Sequence, residues 1–205
     1  MILPELECPA SMRGHVNLVL RGEYALPPGY RVEPPVRVLD IGANVGAFAI
    51  WARQQWPGCE LDCYEPHPEN AKLLRRNVHH LGDGVRVHEV AVSGGNRARL
   101  FEGKNNCGEA SLWLGDEQRS DTYLTVDCLE PNFLPPADVL KIDTEGNELE
   151  IMSGYLHLEN VLAVMLEYHR EWDRWRLGSL LCPTFDCVRE ERRRKDRGIM
   201  VWVRT

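Results

Sequence analysis

The chain predicts an α/β fold: a mainly parallel sheet with helices on both faces, closed by an antiparallel hairpin. Three observations support this. Short apolar runs alternate with amphipathic stretches from residue 36 onward, the pattern of a parallel sheet with crossover helices. VRVLDIGANVGAFAIWA, from Val36 to Ala52, joins an apolar strand to a helix through a glycine-rich turn. Val161–Tyr168 is an eight-residue, mostly apolar run, as a strand covered on both faces would be.

Taken in order, residues 1–35 hold six prolines and little periodicity. They are expected to form a segment packed on the core, with one strand near Val16–Leu20. Residues 36–205 then form a single domain. Its first strand is Arg37–Ile41, and its first helix starts near Gly46 and ends before Pro57. A second strand, Glu60–Glu65, is followed by Pro66 and Pro68, and proline suits a helix start. That helix runs to about Leu81 with Ala71, Leu74, Val78 and Leu81 along one face, and Gly82 and Gly84 end it. The third strand is Val85–Val92. Residues 94–122 are rich in Gly, Asn, Asp and Ser and read as a loop with a small hairpin, its apolar pieces being Ala98–Phe101 and Ser111–Leu114. Strand four is Val139–Ile142, a helix starts near Asn147, and strand five is Val161–Tyr168. Thr184–Val188 and Ile199–Val203 close the domain as two strands joined by a charged turn.

Composition narrows the function. At 205 residues, 43% hydrophobic and 27% charged, the chain has the balance of an ordinary single-domain globule. No apolar run reaches the ~18 residues of a membrane span, and MILPELECPA lacks the basic and apolar regions of a signal peptide. A net charge of −7 argues against broad electrostatic binding of nucleic acid. Seven cysteines, an odd number without C-x-x-C, suit a reducing cytoplasm better than a disulfide framework or a zinc site. Cys59, Cys63, Cys182 and Cys187 read as small core hydrophobes.

The turn after the first strand, Gly42-x-Asn44-x-Gly46, lets a ligand approach the main chain at a helix N-terminus, the arrangement that binds nucleotide-like cofactors. It is not the G-x-G-x-x-G of dinucleotide oxidoreductases, which remain the first alternative. Asp40 either meets a cofactor's charge or caps the following helix. Glu65, 19 residues beyond Gly46, stands where a carboxylate accepts from both hydroxyls of a ribose; the alternative is a cap for the next helix. LKIDTEGNELEIMSG delivers Asp143 and Glu145 to the carboxyl end of strand four, as base and orienter, as helix caps, or as metal ligands, in that order of preference. His169 ends strand five at the same edge and can take a proton near neutral pH. The arginines between residues 189 and 197 are interleaved with acids and read as a solvated hairpin tip, the other reading being a site for an anionic acceptor. Trp172 and Trp175 read as core packing ahead of an acceptor platform.

With an acid before its first glycine, the turn resembles motif I of Rossmann-like methyltransferases. The set DIGANVG, YEPHPEN, LTVDCL and KIDTEGNELEIMSG resembles the FkbM-type methyltransferase family from about Val36 to His169. The resemblance implies a seven-stranded Rossmann-like class I sheet, S-adenosyl-L-methionine as cofactor, and methyl transfer to a hydroxyl of a sugar or natural-product small molecule; no residue is assigned as a metal ligand. By motif position it implies that Asp40, Gly42, Asn44, Gly46 and Ala91 line the cofactor, that Glu65 holds its ribose, and that Asp143, Glu145 and His169 face the acceptor. His169 or Asp143 is then the base and Glu145 the orienter. Two departures stand out: DTEG where DVEG is commoner, and an N-terminal part short for the family. The second alternative is a non-catalytic module that keeps the fold.

Overall fold

The computed structural model describes residues 6–34, 36–101, 110–112 and 123–205. Its main sheet has seven strands: β1 (Arg37–Ile41), β2 (Glu60–Tyr64), β3 (Val85–His88), β7 (Val139–Ile142), β8 (Ala163–Tyr168), β9 (Phe185–Arg192) and β10 (Gly198–Arg204). Their order is β3-β2-β1-β7-β8-β10-β9. The first five are mutually parallel; β10 runs antiparallel to β8, and β9 antiparallel to β10. This is the mainly parallel seven-stranded sheet with a C-terminal antiparallel hairpin that the sequence implied.

Strand periodicity explains why both faces are covered. Val38, Val139, Ala163 and Met165 point to one face, against Phe48 and Trp51 of α2 (Ala47–Gln55) and Leu74 of α3 (Pro68–Val78). Leu39, Leu140, Val164 and Leu166 point to the other, against Ile151 of α4 (Glu148–Gly154) and Leu177 of α5 (Glu171–Leu181). Two apolar layers leave the carboxyl ends of the parallel strands as the place for polar chemistry. The connections diverge between β1 and β7, the switch point where open α/β sheets hold ligands.

Several elements differ from the sequence reading. Val16–Leu20 is not a strand but part of helix α1 (Arg13–Leu20), because Met12, Val16, Val19 and Leu20 recur at helical spacing and bury one face. The third strand breaks at Glu89–Val90. Ala91–Val92 leaves the main sheet as β4 and joins β5 (Arg97–Phe101) and β6 (Tyr123–Leu129) in a small sheet of order β4-β6-β5. Of the expected hairpin, Phe101 bridges Ser111, and Trp113–Leu114 lies outside the described residues. Helix α5 was not foreseen. Its Trp172 and Trp175 are 70% and 63% exposed, so they do not pack in the core. Cys59 and Cys63 are buried as expected, whereas Cys182 and Cys187 are exposed and Cys107 lies outside the described residues.

Gly42 carries the tightest constraint in the fold. Its φ is +78°, and a Cβ there would lie 1.8 Å from the backbone oxygen of Asp143. Neither backbone can yield without moving a central strand. Gly42→Ala is therefore expected to destabilise the chain by about 2 kcal/mol or more, lowering the thermal midpoint by at least about 4 °C. An unchanged midpoint would contradict this close contact.

Candidate functional site

The turn after β1 is built from main-chain hydrogen bonds. The amides of Gly42 and Ala43 both donate to the Tyr64 carbonyl at 2.9 Å. Asn44, at φ +50°, donates its amide to Glu65 Oε2 at 2.8 Å. Glu65 Oε1 accepts from the His67 amide at 2.8 Å and from Asn70 Nδ2 at 3.5 Å. Burial pushes the Glu65 carboxyl up to about 7, against the pull of those donors. The same carboxylate thus ties the glycine turn to the start of α3 and faces a cavity. Asn44 Oδ1 is buried there without a hydrogen-bond partner among the described residues.

Gly42, Asn44, Glu65 and Ala91 line this cavity of about 310 Å³; Asp40 and Gly46 do not. Gly46 instead lies against α3, where a Cβ would meet Leu74 Cδ1 at 2.8 Å. Asp40 lies one layer below, fully buried, with Lys141 Nζ at 3.1 Å. It makes no side-chain cap to α2. Burial raises its carboxyl, and Lys141 pulls the other way. Burial also works to lower the Lys141 ammonium, but Asp40 and Asp143 outweigh it and the net shift is upward. The ammonium donates to the Gly42 carbonyl at 2.6 Å, so one buried cation joins β7, Asp40 and the turn.

At the far end of the cavity, Asp143, Glu145 and Glu167 form part of the wall. Behind them sits His169, 8% exposed. Its Nδ1 meets Glu148 Oε1 at 3.0 Å, and its Nε2 lies 3.3 Å from Glu145, 3.8 Å from Asp143 and 3.9 Å from Glu167. Burial works to lower the imidazole, but Glu148 and Glu145 outweigh it and hold it well above its ordinary value. His169 is therefore an imidazolium donating from both nitrogens, behind the wall. Burial works to raise Asp143, but Lys141, His169 and His15 outweigh it, and the Tyr24 hydroxyl donates to Oδ2 at 3.1 Å; Asp143 is held low. Glu167 goes the other way: burial, then repulsion from Asp143, push it up to about 8 against His169 and Arg193. Ligand atoms of Asp143, Glu148 and His169 lie within 4.8 Å of one another and could hold a metal ion.

Between these ends, Val92 of β4, Leu100 of β5, Ala110 and Leu112 form an apolar wall. Ser111 Oγ donates to the Glu145 carbonyl at 2.6 Å and fastens that wall to the acid cluster. Ser11, Met12 and His15 close the cavity from the N-terminal side.

Residues 40–196 match the Methyltransferase FkbM domain. The chain belongs to the FkbM methyltransferase family. It is 31% identical over 143 residues to the 2-O-methyltransferase NoeI of Sinorhizobium fredii, covering 60% of this chain and 58% of that protein. It is 25% identical over 146 residues to the hexuronic acid methyltransferase AglP of Haloferax volcanii, covering 69% of this chain and 59% of that protein. The chain thus spans somewhat over half the length of these relatives. Among solved structures, the methyltransferase FkbM of Methylobacillus flagellatus KT aligns over 87% of this chain and 46% of that one, at 16% identity and a TM-score of 0.61, a likeness of fold.

Several residues of this cavity and its surroundings were missed from sequence. Glu148, not Glu145, holds His169 Nδ1; its Oε1 also accepts from the Thr144 and Gly146 amides at 3.0 and 2.9 Å. An acid in the first turn of the helix after Gly146 was its only signal, and it read as part of a motif. Glu167 faces the cavity two residues before His169, as strand alternation requires. Lys141 shows its role only through the register that sets it beside Asp40. Arg193, Arg194 and Arg197, expected in solvent, line the cavity.

Lys141→Met would leave Asp40 buried without a counter-charge and is expected to destabilise the chain by about 3–5 kcal/mol. Adding Asp40→Leu should restore most of it, since a matched apolar pair often replaces a buried ion pair at little loss. Chemical denaturation of the two variants checks this; a single variant as stable as wild type would contradict it.

Proposed function

We propose that this chain is an S-adenosyl-L-methionine-dependent methyltransferase that methylates a hydroxyl oxygen of a sugar or natural-product small molecule, in a reducing cytoplasm. One observation carries the reading: Gly42, Asn44 and Glu65 share a single cavity with Asp143, Glu145 and Glu167. The first group fits the cofactor's nucleoside. Glu65 Oε2, which accepts only from the Asn44 amide among the described residues, keeps acceptor capacity for a ribose hydroxyl, the buried Asn44 Oδ1 has no partner among those residues, and Ala91, Val92 and Leu100 offer an apolar slot for a base. The cofactor supplies an activated methyl group on a positively charged sulfur. The names of two relatives, a 2-O-methyltransferase and a hexuronic acid methyltransferase, support a sugar hydroxyl as acceptor.

The remaining chemistry is alignment and removal of one proton. Alignment contributes up to ~7–11 kcal/mol in favourable cases. Two neighbouring carboxylates whose pKa values are driven apart divide the work. Asp143, held low, stays charged and faces the positive sulfur. Glu167, at about 8, is matched to accept the hydroxyl proton near neutral pH. His169 does not reach the cavity surface; it restrains Asp143, Glu145 and Glu148 as a buried cation. Arg193, Tyr24 and Glu145 complete the charged surroundings of Glu167.

Incubation with methyl-labelled cofactor and small-molecule glycans tests the reaction class. Label in an alkali-stable ether is expected; label only in alkali-labile esters, or none, would contradict it. For the base, the ionised carboxylate is the active form, so kcat/KM should rise with pH through about 8 and then level off. Glu167→Gln should lower kcat by ~10²–10⁴-fold and remove that rise. A profile flat from about pH 6 to 9 would assign the proton to another group.

A further inference from the structure

The tip of the β9–β10 hairpin turns inward. The amides of Arg193 and Arg194 both donate to the Arg197 carbonyl, at 3.0 and 3.1 Å, a tight turn that sets three arginines at the cavity. Their donors are unequally used. Arg193 is bonded to Glu23 and lies 3.8 Å from Glu167. Arg197 comes no closer than 3.6 Å to Glu145, beyond hydrogen-bond range. The Arg194 side chain has no ion-pair or hydrogen-bond partner among the described residues. Two guanidinium groups therefore face the cavity with donors to spare. His15 of α1 lines the same end, and the Glu23–Arg193 bond straps the segment after α1 to the hairpin.

The position of these groups says what they meet. Strand order puts β10 three strands beyond β1, about 14 Å at the usual ~4.8 Å spacing. The nucleoside cradle lies over β1 and β2, and the acid cluster over β7 and β8. The arginines lie one strand further on, beyond the acid cluster. Guanidinium forks at that place match a planar anion, which they bind through two parallel hydrogen bonds.

Building on the methyltransferase reading, we propose that Arg194 and Arg197 form an anion subsite for the methyl acceptor, so that the acceptor is an acidic sugar or related small molecule carrying a carboxylate or phosphate. The neighbouring acids have cations of their own: Glu23 and Glu167 lie beside Arg193, and Asp143 and Glu145 lie 3.8 and 3.3 Å from His169. The N-terminal segment and the hairpin tip together then select the acceptor.

The full chain, first titrated with S-adenosylhomocysteine, is then titrated with methyl β-glucuronide, glucose 6-phosphate and methyl β-glucoside. At least one charged probe should bind about tenfold or more tightly than the neutral glucoside, and the two charged arms distinguish carboxylate from phosphate. Arg194→Ala/Arg197→Ala should bring that probe to the neutral level, and the matching double lysine variant should recover part of the difference. Equal affinities, no binding of any probe, or a preference that survives the double alanine variant would overturn the proposal. So would a tenfold loss of S-adenosylhomocysteine affinity in that variant with the preference intact, which would assign the arginines to the cofactor's own carboxylate. Failure of wild type in the first titration alone removes the methyltransferase reading, and the subsite proposal falls with it.

Discussion

The junction of β1 and β7 holds the site together. Two parallel strands end side by side there, and their loops touch through backbone alone, with Gly42 packed against the Asp143 carbonyl. Beneath the contact, Lys141 bridges the Asp40 carboxylate and the Gly42 carbonyl in a layer that is otherwise apolar. A charge removed from water is tolerated only where its partners are fixed. Through this clamp the turn that would receive a cofactor and the strand end that carries Asp143 keep one spacing. In the proposed reaction that spacing decides whether a methyl group and a hydroxyl meet in line, and misplacement by about 1 Å can lower a rate ~10²-fold.

Electrostatics then sorts the acids. Four carboxylates, Asp143, Glu145, Glu148 and Glu167, surround His169, and they differ in solvation and in donors. Glu148, fully buried, is stabilised by backbone amides and the imidazolium. Asp143 is stabilised by the cations Lys141 and His169, and Glu167 is left with the burial penalty and its neighbour's repulsion. In the proposed mechanism one histidine thus lets chemically similar side chains serve as a structural anchor, a permanent charge and a proton acceptor.

Much of this was legible in the sequence because it depends on local pattern. The strands β1, β2, β7 and β8 and the helices α2 and α3 follow from periodicity and from Gly and Pro punctuation. The positions of Glu65 and Asp143 at the cavity were legible because strand ends and glycine spacing fix where they go. What escaped depends on pairing across the fold. Lys141 looks like any strand lysine until register sets it beside Asp40. Glu148 and Glu167 become distinct only once His169 is seen between them. The arginines of the hairpin alternate with acids, which reads as solvent exposure; the tight turn at Arg197 carries them into the cavity. Helix α1 was missed because Val16–Leu20 alone reads as a strand, and the helical period shows only when Met12 is taken with it.

The most direct test of the central claim is calorimetric titration of the full chain with S-adenosylhomocysteine at pH 6 and pH 8. Glu65 stands near its midpoint at about 7 in the free protein, and ribose hydroxyls donate to its ionised form, so binding should be present and tighter at pH 8. Absence of heat with folded protein at both pH values, or binding that Glu65→Gln leaves unweakened, would contradict it.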